Sequence, residues 1–302
     1  MHASAQGEET RATFREVHLG LEVRLELVGD TARLERIARR AFDRIDSLDL
    51  ILSDWRAESA LRRLELAPVG RWVSVPRELA EVLWLANSVA RATDGAFDPT
   101  IGALTRLWRE AARTGKPIDA AARRRARALV DYRVVTVDTV QSRVRVARAG
   151  VRFDLGAIAK GWILDALIVQ LRAEHVDAAL IEAGGDIAVF TAIAAWPAWR
   201  IRVERASGDT VLMVRDGAVS TSGPSAQSLF RRDGRGESHV MRPSTGMGLR
   251  DGQQVTVMGA RAALTDALAT AMTLLPRAKG EDLAHQFGVQ VMGRTSTRGD
   301  LR

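Results

Sequence analysis

The chain of 302 residues contains no cysteine, which excludes disulfides, thiolate zinc sites, iron–sulfur clusters, a cysteine nucleophile and a lipid-modified cysteine anchor. Any metal must be held by oxygen or imidazole. No window reaches the roughly 18 apolar residues of a membrane helix; the nearest, Ile187 to Trp199, is interrupted by Thr191 and Pro197. No membrane span is expected. Residues 1–30 lack a basic start, an apolar stretch and a small-residue cleavage site, so the chain as given is expected to be cytoplasmic, and exported if its natural start lies upstream. Lysine is scarce, with Lys116, Lys160 and Lys279 alone among 44 basic residues. The net charge of +7 invites a nucleic-acid reading. Yet Arg39-Arg40, Arg62-Arg63 and Arg123-Arg124-Arg125 sit among helix-like residues with no interleaved aromatics, so they read as solvated helix faces and no nucleic-acid partner is expected.

What is present is a hydrophobic fraction of 46%, enough for one large core. Val23, Leu25 and Leu27 alternate with charges, predicting a strand within 14–28. Leu34, Ile37, Ala41, Ile45, Leu48 and Leu52 then recur at helical spacing. A second helix is predicted from Pro76 to Asp94-Gly95 and a third over Ala120–Leu129. Val144 and Val146, a turn at Ala149-Gly150, and Val151 with Phe153 read as a hairpin feeding a helix over about Gly156–Glu174. A buried strand follows at Ala178–Ile181, further strands at 187–191, 199–205, 210–215, 217–221, 238–241 and 253–258, and a last helix over about Arg261–Leu275. No repeat or linker divides the chain. The reading is an α/β (α+β mixed) fold, one domain over 14–292 with mixed sheets flanked by helices, between flexible tails at 1–13 and 293–302.

Chemistry-bearing residues gather at element boundaries, where sites are usually built. Thr93-Asp94-Gly95-Ala96-Phe97-Asp98-Pro99-Thr100 follows a helix with two carboxylates and Phe97 held between Gly95 and Pro99, and taken alone it reads as a tight turn. Phe153-Asp154-Leu155-Gly156-Ala157-Ile158-Ala159-Lys160-Gly161 ends a strand in small residues and opens a helix bearing a rare lysine. Small residues admit a phosphate to free backbone groups at a helix start, and the lysine supplies a counter-charge. Its spacing is not that of a Walker loop. Glu182-Ala183-Gly184-Gly185-Asp186 is a glycine pair at a strand end, a ligand approach or a simple turn. Ser220-Thr221-Ser222-Gly223 and His239-Val240-Met241-Arg242-Pro243-Ser244-Thr245-Gly246 offer hydroxyls and a histidine. In Thr265-Asp266-Ala267-Leu268-Ala269-Thr270, Asp266 and Thr270 share a helix side away from Leu264, Leu268 and Leu275. They are hard oxygen ligands suited to Mg²⁺ among alanines, where a plain solvent-facing side would carry Arg and Glu.

In this order the segments resemble the FAD:protein FMN transferase (ApbE) family, whose members show DGAFDPT, DxGxxAKG, GG[ND], STSG, HxxxPxTG and a late ADALAT-type helix; the resemblance runs from about Leu19 to about Val291. It implies an α/β fold and Mg²⁺-dependent transfer of the FMN half of FAD to a threonine or serine hydroxyl of a flavoprotein acceptor, with release of AMP. Carried onto this chain, it implies FAD contacts at Trp55, Ala96, Phe97, Asp98, Asp154, Lys160 and Val240. Metal ligands fall on Asp266, Thr270 and the backbone carbonyl of Ala157, and the transfer step on His239 and Asp266, either of which could be the base. The chain departs from many relatives at Leu19 (commonly Met), at Arg242 (acidic or Asn) and at Glu65, where the usual S-x-L-x-R-L-N ends in Asn. The alternatives are an FAD-binding carrier and an FAD pyrophosphatase that uses no protein acceptor.

Overall fold

A computed structural model describes residues 9–194, 196–204, 208–223, 228–229, 237–249 and 253–296. Its framework begins with a tight reversal. Leu19 and Gly20 both take positive φ, 56° and 75°, the backbone that a two-residue hairpin turn requires. They join β1 (Glu9–His18) to β2 (Leu21–Asp30) where one strand within 14–28 was expected. Because β1 starts at Glu9, its first residues belong to the sheet rather than to a tail ending at 13; residues 1–8 and 297–302 lie outside the described residues.

Five more strands complete the sheet: β3 (Ala178–Ala183), β4 (Asp186–Thr191), β5 (Gly217–Ser222), β6 (Gln253–Gly259) and β7 (Gln290–Ser296). They lie in chain order, each antiparallel to the next. Period-two alternation divides the side chains between two faces. Val23, Leu25, Leu27, Ala179, Ile181, Ala188, Phe190 and Val257 join the main core, whereas Val28, Leu180, Val189 and Val219 join a second cluster with Trp199, Ile201 and Val203. The latter come from a hairpin of Trp199–Val203 and Thr210–Val214 that covers the second face.

Helices cover the first face. α1 (Thr31–Leu52) starts where the Asp30 carboxylate accepts the Ala32 N–H at 3.0 Å, and it buries the predicted stripe from Leu34 to Leu52. α2 (Ala60–Glu65), α3 (Arg77–Ala92), α4 (Gly102–Thr114), α5 (Ala120–Arg127), α6 (Ala159–Ala173), α7 (Ala262–Leu274) and α8 (Arg277–Phe287) follow. α6 and α7 pack together and, with α1, lie on the sheet. α2, α4 and α8 are additional to the expected helices. The expected hairpin about Ala149-Gly150 is displaced: Arg143–Val146 pairs with Val135–Asp138 and Trp72–Ser74, which buries Val144 centrally, and Arg152 makes only an isolated bridge to Ile101.

Candidate active site

The site is built where α6 crosses α7. Gly161, in the first turn of α6, lies against the backbone at the start of α7; a Cβ there would overlap the Ala262 carbonyl. One turn on, the Asp165 carboxylate accepts the Ala262 and Ala263 N–H groups at 2.7 and 3.2 Å, so α6 supplies the cap that α7 lacks in its own sequence. This double attachment sets Asp266 beside Lys160. Lys160 Nζ lies 3.4 Å from Asp266 Oδ2 and 3.1 Å from Asp186 Oδ2, and it donates to the Gly156 carbonyl at 2.9 Å. The Gly161 N–H donates to Asp266 Oδ2 at 3.2 Å.

Asp266 is 4% exposed and Asp186 3% exposed, so two buried carboxylates face one ammonium. Burial, and then the neighbouring Asp186, push the Asp266 carboxyl up to about 7 against the opposing pull of Lys160 and the Gly161 N–H. Burial alone would lower the Lys160 pKa, but Asp186 and Asp266 outweigh it and hold the ammonium well above the ordinary lysine range. Asp186 was singled out in the Gly184-Gly185-Asp186 segment but not as a site residue. Its signal was a carboxylate just past a glycine pair, at the start of a strand.

Lys160 lines a cleft of about 600 Å³ whose walls also include His18, Asp46, Asp49, Trp55 and Gly156, while Asp186 and Asp266 lie behind Lys160 and form no part of its wall. Trp55 is 71% exposed, and the Arg109 guanidinium stacks on its ring, 4.0 Å from the centroid. Arg109 also pairs with Asp54 and, at 2.9 Å, with Asp154 Oδ2, while Asp154 Oδ1 accepts the Gly156 N–H at 2.8 Å. Burial and the nearby Asp154 raise the Asp54 carboxyl despite Arg109. Behind this wall the fully buried Glu65 side chain receives Arg62, Arg106 (3.2 Å) and Arg152 (3.1 Å) on Oε2 and the Phe153 N–H (2.8 Å) on Oε1. Sequence reasoning missed Arg109, Asp165 and the role of Glu65, because each acts on residues far away in the chain.

None of the remaining predicted residues named below lines this cleft. Thr270 Oγ1 meets Ser222 Oγ at 3.2 Å, and Thr265 Oγ1 meets Ser220 Oγ at 2.8 Å, so the hydroxyl-rich strand end and the late helix are brought together. Ala96 packs with Val240, Leu249 and Leu274, which joins the first turn to the histidine segment. His239, half-buried, precedes Val240, whose N–H donates to Ser238 Oγ at 3.1 Å. Phe97, in contrast, is in the core, and Asp98 accepts Thr100 N–H (2.8 Å), Thr100 O–H (2.6 Å) and Tyr132 N–H (3.0 Å). Burial raises the Asp98 carboxyl against those bonds, which hold its loop in shape. Ala157 is half-buried beside Gly156. Arg242 donates to the Leu274 carbonyl at 3.0 Å, ending α7 with a cation where helix carbonyls favour one.

Among the described residues no three His, Asp or Glu side chains form a ready metal cage. The donors do fit a hard divalent cation: Asp186 and Asp266 outnumber Lys160 by one negative charge, and the Thr270 hydroxyl lies one turn beyond Asp266 on α7. No helix among the described residues is long and apolar enough to cross a membrane.

The antiparallel sheet, its helical cover and this charge-paired cluster beside an aromatic-walled cleft define a single-domain protein with an enzyme-like polar site. The ApbE family model matches residues 19–292, and the chain belongs to the ApbE family. A protein from Treponema pallidum named FAD:protein FMN transferase is 31% identical over 275 residues, 85% of this chain and 76% of its own length. A solved structure of Pseudomonas stutzeri flavinyl transferase ApbE, apo form, superposes with a TM-score of 0.81 at 25% identity and covers 98% of this chain and 97% of its own. The ApbE protein from Thermotoga maritima superposes at 0.80 with 28% identity, covering 93% and 94%.

Proposed function

We propose that this chain is a flavin transferase that moves the FMN half of FAD onto a threonine or serine hydroxyl of a flavoprotein acceptor and releases AMP. The observation that carries the reading is Lys160, held by the buried Asp186 and Asp266, lining a cleft with an exposed aromatic wall, in a chain whose relatives are named for this reaction. Trp55 offers a face for a flat ring. Lys160 sets a fixed positive charge against the phosphates.

In the transfer, the acceptor oxygen bonds to the FMN phosphorus. The bond from that phosphorus to the bridging oxygen breaks, and the bridging oxygen leaves on AMP. The hydroxyl proton passes to His239 or Asp266, both of which stand as candidate bases. Mg²⁺, held by Asp266, Thr270 and the Ala157 carbonyl, would supply charge neutralisation at the breaking pyrophosphate.

The test follows AMP release from FAD, with and without Mg²⁺, and the intact mass of a threonine-containing flavoprotein acceptor. AMP together with an FMN-sized mass gain supports the reading. AMP without the gain turns it into hydrolysis, and bound FAD without AMP into carriage. Asp266→Ala is expected to abolish turnover, and His239→Ala to slow transfer while FAD binding is kept.

A further inference from the structure

The positive charge of this protein has one address. Residues 113–152 hold eleven Arg and Lys against three Asp, whereas the rest of the chain holds 33 basic and 34 acidic residues. Within that stretch α5 reads Ala-Ala-Ala-Arg-Arg-Arg-Ala-Arg and has no acidic residue. Arg124, Arg125 and Arg127 are exposed, and among the described residues none of them has an ion-pair partner. Several exposed arginines on other helices are paired, Arg39 with Glu35, Arg77 with Glu81, Arg113 with Glu110 and Arg277 with Glu281, and the exposed ones without an ion pair there, Arg36, Arg63 and Arg91, stand singly rather than as a run. The acids flanking α5 are already engaged. Asp119 accepts the Ala122 N–H at 2.7 Å, and Asp131 binds Arg148 at 3.2 Å.

Four arginines on two turns repel one another at i,i+3 and i,i+4 spacing, a cost that a counter-charge from outside would relieve. The helix lies beside the candidate site. Ala126 shares a cluster with Met241, and the Arg123 stem sits beside Gly246, at the far end of the turn that begins at His239.

We propose that α5 docks an acidic segment of the protein acceptor, next to the hydroxyl that is to be modified; the identity of the partner rests on the transferase reading. Within residues 113–152 and the strand that pairs with them, the aromatic rings give little support to a nucleic-acid partner. Trp72 carries Arg143 (4.7 Å) and Arg145 (5.1 Å) on its ring, and Tyr132 carries Arg133 (4.9 Å) and is itself buried.

The test needs no turnover. Two fluorescent peptides of one length carry a central threonine, one flanked by aspartates and the other by asparagines. Their binding to the full chain is followed by anisotropy at low and high salt, with single-stranded RNA and anionic phosphatidylserine vesicles as competitors. At low salt the aspartate peptide is expected to bind at least tenfold more tightly than the asparagine peptide. Arg124→Glu/Arg125→Glu/Arg127→Glu should remove that preference and leave FAD binding unchanged, and the milder triple Gln variant should lose about half of it on a logarithmic scale. Equal binding of the two peptides overturns the proposal, as does a preference that survives the Glu variant or stronger binding of the RNA or the vesicles. Peptide preference without FMN transfer would retain the docking surface and overturn the transferase reading instead.

Discussion

Replacing Glu65 by glutamine alters almost no volume, yet it strikes a point where every neighbour is a donor. Arg62, Arg106 and Arg152 converge on Oε2 and the Phe153 N–H points at Oε1. A carboxylate accepts at both oxygens, but an amide has one NH₂, which in either orientation faces a donor. Burial, followed by mutual repulsion with Arg152, already lowers the pKa of Arg106, and Arg62 is lowered by burial and by both neighbours. Losing the central negative charge leaves that repulsion unopposed. Removing one partner of a buried charge pair costs about 3–5 kcal/mol. The three arginine side chains are 21–31% exposed, so water recovers part of this, and the expected loss is roughly 2–4 kcal/mol. For 302 residues the unfolding entropy is about 0.6 kcal/mol per degree, which places the fall in Tm at roughly 3–7 °C. Differential scanning calorimetry measures it directly. Because Phe153 leads into the Asp154–Lys160 segment, AMP release should also slow. A Tm within 1 °C of the parent would refute the hub argument.

Three further perturbations probe the site itself. Gly161→Ala places a Cβ into the Ala262 carbonyl and should force α6 and α7 apart, abolishing AMP release and lowering Tm by several degrees; near-normal activity would show that the crossing does not position Asp266. Asp266, at about 7 in the folded chain and 3.8 as its ordinary value, retains a proton that the unfolded chain releases, so its contribution is fully present below about pH 4 and lost as pH rises through 7. In EDTA that amounts to at most about 4 kcal/mol, and Asp266→Asn should flatten the pH dependence of Tm between pH 5 and 7.5; parallel curves for the two proteins would contradict it. Asp186→Asn takes a negative charge from beside Asp266 and a partner from Lys160, so kcat should fall at least tenfold and, if Asp266 is the base, the midpoint of the pH–rate profile should move to lower pH.

Some of this protein is local and was legible in the chain. The α1 stripe from Leu34 to Leu52 needs only the helical period, and the strand at Ala178–Ala183 only an apolar run closed by Gly184-Gly185. Lys160, Asp266 and Thr270 stood out because a rare lysine, and a carboxylate among alanines, are unusual whatever they touch. The first strand pair was harder to read: β1 is largely polar, and its reversal rests on Leu19, a residue seldom found at positive φ.

The sequence by itself determined the core stripes, the single domain and the order of the motif segments, because periodicity and residue type are properties of neighbours in the chain. Tertiary structure alone decided which segments meet. Asp165 caps a helix nearly a hundred residues further on, Asp186 and Asp266 come to share one lysine, Arg109 ties Trp55 to Asp154, and Glu65 gathers three arginines. The Asp266 carboxyl sits near 7 for the same reason: burial and a second carboxylate belong to the packing of α6, α7 and β4, and no window of sequence contains them.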